Sequence, residues 1–298
     1  MIAFAGRPHN CLPPLPALVP PRVALPPGSW DCHAHVIGAP PDDPLVADRH
    51  YTAPPQSVDT FLSVLDNMGV RFATLVQVSV HGTNNRLLAR ALRANRDRLR
   101  GVAVIGPQID RDELHGLADA GVTGVRLLDI VGGGVAVEHL DAIAARCREV
   151  GWHIQLGLKA DRYIELLPRL LRLAVPIVID HMGWSLVKEG PDAASFQAVL
   201  RLLREGGCWI KLSGAFRMSQ AGPPWLDTVP MTQSLVQVAP DRVVWGSDWP
   251  HVGITEPAEL PEYGALLDLL AAAIPDEAVR RRVLVDNPAK LYGLPSRP

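Results

Sequence analysis

The chain has 298 residues, 48% hydrophobic and 20% charged, with a formal net charge of -2. That length buries a full core as one barrel-sized domain or two smaller ones, and the balanced charge excludes the basic excess of a nucleic-acid binder, so an acidic ligand has to be met by local arginines. No run approaches ~18 apolar residues, which argues against a membrane helix, and the scattered Cys11, Cys32, Cys147 and Cys208 show no metal-like spacing, as expected of a reduced cytoplasmic protein.

The opening MIAFAGRPHNCLPPLP lacks a charged segment followed by an unbroken apolar stretch, so no signal peptide is expected. Residues 1–29 hold eight prolines. Proline at that density blocks helix and sheet ladders alike, which predicts an extended or disordered arm over 1–27 ahead of a single folded domain at 28–298. In that domain short β-branched runs alternate with segments of helical period. Strands are predicted at 29–37, 72–80, 101–105, 124–128, 152–156, 177–180, 209–213 and 243–247. Amphipathic helices include 58–68, 84–95, 137–150, 162–173 and 193–205. Eight strand–helix units over about 270 residues match an α/β fold of the (β/α)8 TIM-barrel type. A doubly wound open sheet would show a Gly-rich phosphate turn after its first strand; here that strand runs into Val36-Ile37-Gly38-Ala39-Pro40. A barrel places its chemistry at the C-terminal ends of its strands, so polar residues there are the candidates.

The first strand ends in Asp31-Cys32-His33-Ala34-His35. Side chains alternate along a strand, so His33 and His35 point to one side, an arrangement that suits a metal or a polarised carbonyl oxygen. The last strand closes in Trp245-Gly246-Ser247-Asp248-Trp249-Pro250-His251, which puts the Asp248 carboxylate at the barrel mouth; Gly-Ser-Asp is also common turn chemistry. His181 follows the sixth strand, where Asp180 could simply open a helix. Gln77, Ser79 and His81 share a face if the second strand continues through them. In the fifth strand Gln155 lies nearer the mouth than His153, which reads as a core histidine. Arg126, inside the fourth strand, needs a carboxylate from a substrate or from Asp129 or Asp180, and Arg217 sits in the loop after the seventh. Arg86, Arg90, Arg93, Arg96, Arg98 and Arg100 read as a solvated helical face.

Together with Arg49-His50-Tyr51-Thr52-Ala53-Pro54 and the closing Asp286-Asn287-Pro288-Ala289-Lys290-Leu291-Tyr292-Gly293, these features resemble the amidohydrolase superfamily over roughly residues 28–294. Within it they are most similar to the branch of 2-pyrone-4,6-dicarboxylate lactonase and related lactone-processing enzymes. The resemblance implies that His33, His35 and His181 surround the scissile carbonyl. Asp248 would act as general base on the attacking water, then return the proton to the leaving oxygen. It further implies that Arg126 and Arg217 bind a substrate carboxylate, with Tyr51 assisting and Arg49 next in line; Gln77, Ser79 and Gln155 are the remaining candidate substrate contacts. The dicarboxylate branch has an arginine where this chain has Gly132, which argues against two ring carboxylates.

Metal-dependent relatives add a ligand from strand four or five. This chain offers His33, His35 and Asp248, while the amide of Gln155 is a poor zinc ligand. The expectation is hydrolysis of the ester bond of a small carboxylate-bearing lactone with no required metal. The alternatives are a sugar-acid lactone isomerase and an amidohydrolase or decarboxylase using zinc or manganese. A non-catalytic barrel would not need an ionisable Asp248 among three histidines. A homo-oligomer is compatible with the composition.

Overall fold

Eight short apolar runs form a parallel sheet in sequential order: β1 Trp30–Ala34, β2 Phe72–Val76, β3 Leu99–Ala103, β4 Val122–Leu128, β5 His153–Gly157, β6 Ile177–Ile179, β7 Trp209–Leu212 and β8 Val243–Trp245. The computed structural model describes residues 8–294; residues 1–7 of the predicted arm and 295–298 of the predicted domain lie outside the described residues. Both faces of the strands are covered, which explains why they read as continuous apolar runs. The seam between β8 and β1 is carried by a parallel bridge, Ala34 to Trp249. Beside it, Asp248 N donates to His33 O (2.8 Å) and His35 N to Trp249 O (2.8 Å). The result is a nearly closed (β/α)8 barrel, as the strand–helix alternation predicts.

The helices start and stop where local chemistry allows. Helix α1, Val58–Met68, begins at Ser57, whose hydroxyl accepts from Thr60 N, and ends at Gly69 in the left-handed region (φ 73°). The predicted helices over 84–95, 137–150, 162–173 and 193–205 correspond to α2 Arg86–Ala94, α4 Leu140–Val150, α5 Ala160–Leu170 and α6 Ala194–Glu205. Between α2 and α4 lies α3, Arg111–Ala120; α7, Val229–Val238, and α8, Tyr263–Ala273, complete the outer ring. The closing motif is a strut: Asn287 Nδ2 donates to Pro240 O (2.9 Å) and Val243 O (2.7 Å), tying the chain end to β8.

Strand parity fails in two places. The second predicted strand stops at Val76, and Ser79–His81 form a 3-10 turn, so Ser79 and His81 are not aligned with Gln77 by alternation. The first ends at Ala34, with a register shift between Asp31 and Ala34. The proline-rich arm is extended but also paired: His9–Asn10 lie parallel to Tyr51–Thr52, and Leu12 N donates to Ile254 O (2.9 Å). No helix among the described residues is long and apolar enough to cross a membrane.

Candidate active site

The site is assembled around the β8–β1 seam. The buried Asp31 carboxylate accepts from His33 N (3.0 Å), Ser247 N (2.9 Å), Tyr263 OH (2.8 Å) and the Ser247 hydroxyl, fastening β1, the loop after β8 and α8 at one point. Gly246 permits the close approach, since a Cβ there would stand 2.6 Å from His33 Cβ. Beyond it the backbone takes left-handed conformations at Asp248 (φ 64°) and His251 (φ 65°), and after β6 at His181 (φ 48°) and Met182 (φ 51°). Such conformations cost about 1 kcal/mol or more each in residues with a Cβ and collect where a side chain has to be aimed.

What they aim is one carboxylate among imidazoles. Asp248 Oδ1 lies 3.7 Å from His33 Nε2 and 3.6 Å from His35 Nε2. Its Oδ2 accepts from Arg217 Nε at 2.7 Å, and Arg217 Nη2 donates to Val252 O at 2.9 Å. The His181 ring packs 4.6 Å from that of His33, with Nδ1 2.9 Å from the Ser213 hydroxyl. Gly214 makes room for it, because a Cβ there would come within 2.9 Å of His181 Nδ1. His35 Nδ1 donates to Val76 O at 2.7 Å; a carbonyl only accepts, so the proton of a neutral His35 is on Nδ1 and Nε2 offers a lone pair.

Burial alone would raise the Asp248 pKa, but the Arg217 guanidinium holds it well below the carboxylate range, so it is ionised. Burial pushes His181 down to about 4 and His251 to about 3, both opposed by Asp248. His33 also falls well below its ordinary value, first by burial and then by the Lys211 cation. His33, His181 and His251 are therefore neutral imidazoles near neutral pH.

Of the predicted residues, His33, His35, His181, Asp248 and Arg217 meet at one point. Arg126 and Gln155 are committed a layer deeper, to Asp180: Arg126 Nε lies 3.0 Å from Asp180 Oδ2 and Gln155 Nε2 donates to the same oxygen at 2.9 Å. Tyr51 OH and Ser79 Oγ share a hydrogen bond of 2.9 Å. Gln77 donates to Gly82 O and Asn84 O, and Arg49 to Thr52 Oγ1 and Val46 O. A Cβ on Gly132 would overlap Asp48 O, so this loop packs where no side chain fits. Sequence reasoning passed over Asp31, Ser213, His251 and Lys211. Lys211 could have been found, since a charged residue inside an apolar strand is the signal that singled out Arg126. Two overlapping groups could hold a metal ion: His33, His35 and Asp248, and His33, Asp180 and His181, with ligand atoms within 4.8 Å of one another.

Comparison with known proteins gives the family. The amidohydrolase family model matches residues 30–294. A 4-sulfomuconolactone hydrolase from Hydrogenophaga intermedia is 34% identical over 95% of this chain and 95% of its own. A 2-pyrone-4,6-dicarboxylate hydrolase from Comamonas testosteroni is 34% identical over 91% and 92%. The crystal structure of a probable 2-pyrone-4,6-dicarboxylic acid hydrolase from Acinetobacter baumannii, with citric acid bound, superposes with a TM-score of 0.77 at 27% identity, covering 89% of this chain and 99% of that one.

Proposed function

The chain belongs to the amidohydrolase family, and we propose that it hydrolyses the ester bond of a small lactone that carries an anionic substituent. The observation that carries this reading is the ionised Asp248 carboxylate facing two imidazole nitrogens at 3.6 and 3.7 Å while Arg217 holds its other oxygen. Water lodged between Asp248 Oδ1 and His35 Nε2 gives one proton to the carboxylate and points the other at the bare imidazole nitrogen. Its oxygen attacks the lactone carbonyl, and the oxyanion that develops is met by N–H groups of His33 and His181; in the His181 tautomer this requires, Nδ1 accepts from the Ser213 hydroxyl 2.9 Å away and the ring proton is on Nε2. Asp248 then passes its proton to the ring oxygen as the C–O bond breaks, giving a hydroxy acid or its keto tautomer. Arg217 spends Nε on Asp248 and Nη2 on Val252 O, which leaves Nη1 for the substrate anion.

A resident metal fits the donor set poorly. A cation among His33, His35 and Asp248 would share its single carboxylate with the Arg217 guanidinium, a fixed positive charge 2.7 Å from that group. Exhaustive chelation is therefore expected to leave turnover unchanged; activity lost on chelation and restored by zinc or manganese would overturn this part of the reading. The decisive experiment is a screen of sulfonated and carboxylated lactones with product identified by mass. A gain of one water is hydrolysis, an unchanged mass with a new retention time is isomerisation, and loss of carbon dioxide is decarboxylation. Only the first supports the proposal.

A further inference from the structure

Lys211 sits inside β7, wholly buried, on the interior side of the barrel beneath the site. Its ammonium donates to Gln155 Oε1 at 2.6 Å and lies 3.3 Å from His33 Nδ1 and 3.7 Å from Asp180 Oδ1. An ammonium has three N–H donors and no lone pair. A hydrogen bond between Lys211 and His33 therefore requires Nδ1 to be the acceptor and puts the ring proton on Nε2. Asp180 competes for the opposite arrangement, since its Oδ1 is also 3.3 Å from Nδ1. That oxygen, however, has no well-aligned hydrogen-bond partner among the described residues, whereas Oδ2 accepts from Gln155 Nε2 and forms an ion pair with Arg126 Nε 3.0 Å away. His33 Nε2 is likewise buried without a partner among the described residues and lies 3.7 Å from Asp248 Oδ1. A buried donor with no acceptor is costly unless a ligand supplies one.

We propose that Lys211 is a positioning residue: by donating to His33 Nδ1 it fixes the tautomer that presents Nε2–H to the substrate carbonyl oxygen. Asp180, Gln155 and Arg126 hold the ammonium in place, and the two histidines of β1 and its following loop divide the work. His35, fixed by Val76 O, is the acceptor for water, and His33, fixed by Lys211, is the donor to the oxyanion. The same tautomer leaves His33 no lone pair to give a metal ion. This inference rests on the lactone-hydrolase reading for the identity of the acceptor, but its central claim concerns the free protein.

Ring-nitrogen NMR of the full-length, histidine-labelled protein at neutral pH tests it, with the His33 signals assigned by their loss in His33→Gln. His33 should show a protonated Nε2 and a bare Nδ1; a protonated Nδ1 in the wild type overturns the proposal. In Lys211→Met the proton should move to Nδ1 to bond Asp180, with kcat for a hydrolysed lactone falling about 10²-fold and KM changing less than about threefold, the pattern of a lost oxyanion donor. Lys211→Gln keeps a donor and should retain the wild-type tautomer and a kcat within about tenfold of wild type. A methionine variant that keeps both tautomer and kcat would also overturn it. The wild-type spectrum needs neither a folded variant nor a substrate, so if no lactone is turned over the functional reading fails while the tautomer is still decided.

Discussion

Asp248 has to be both dry and charged, and the residues touching it meet those demands separately. Burial supplies the dry surroundings, and Arg217 supplies the charge partner that keeps the carboxylate ionised. Asp248→Asn should keep the fold yet lower kcat by at least about 10²-fold, because an amide cannot take a proton from water. A variant retaining more than about a tenth of wild-type activity would remove Asp248 from the mechanism. The two arginines singled out by the sequence now separate. Arg126 is bound to Asp180, so Arg126→Met should lower the melting temperature and slow a lactone acid and its methyl ester to the same degree. Arg217 touches the catalytic carboxylate and retains Nη1 for a substrate anion. Arg217→Met should therefore raise KM more for the acid than for the ester, and by releasing Asp248 toward its ordinary pKa should move the acid limb of kcat/KM upward. Equal effects on acid and ester from Arg217→Met, with no change in the pH profile, would show that the guanidinium is only structural.

Among the elements, the strands were legible because a parallel barrel buries both faces of each one, so β-branched runs bounded by turns stand out from amphipathic helices. The HxH pair and Asp248 were legible because strand ends define the mouth. The pairings were not. Whether Arg126 meets Asp180 or a ligand depends on register across β4, β5 and β6, where Arg126 lies opposite Gln155 and Gln155 opposite Val178, and no spacing along one chain encodes that alignment. Ser79 and His81 were misplaced on a strand because the period-2 pattern continues into a 3-10 turn. Asp31 was overlooked as a structural residue because its partners Ser247 and Tyr263 lie more than 200 positions away in sequence. Its removal gives the test at this scale. Asp31→Ala strands His33 N, Ser247 N and Tyr263 OH inside the seam and should cost about 3 kcal/mol or more in urea unfolding, since hydrogen bonds to a buried charge are worth about 1.5–3 kcal/mol each. A loss below about 1 kcal/mol would mean that the seam does not depend on this carboxylate.

For the molecule as a whole, burying so many neutral imidazoles makes stability depend on acid. His33 is held well below its ordinary value, His181 at about 4, and His153 and His251 each at about 3, in every case chiefly by burial. In the unfolded chain the same groups titrate near 6.5. Below that value the unfolded state binds more protons than the native state, so stability rises with pH across the interval and is lost as the solution is acidified. Each histidine contributes a slope of up to about 1.4 kcal/mol per pH unit between the unfolded and folded values. Asp180 and Asp248, held well below the carboxylate range by their cationic partners against the opposing effect of burial, add a slope of the same sign further into acid. Asp31 and Asp129, both raised chiefly by burial, oppose them over the range between 3.8 and their raised values. Four histidines against two carboxylates give a net loss, and it begins on the histidine side. Urea unfolding should thus show stability falling by at least about 2 kcal/mol from about pH 7.5 to about pH 5 with the denaturant slope unchanged, most of it between about pH 6.5 and pH 5. A midpoint that holds steady over that range would mean that the histidines are protonated in the native barrel, and the neutral-imidazole site described above would have to be abandoned.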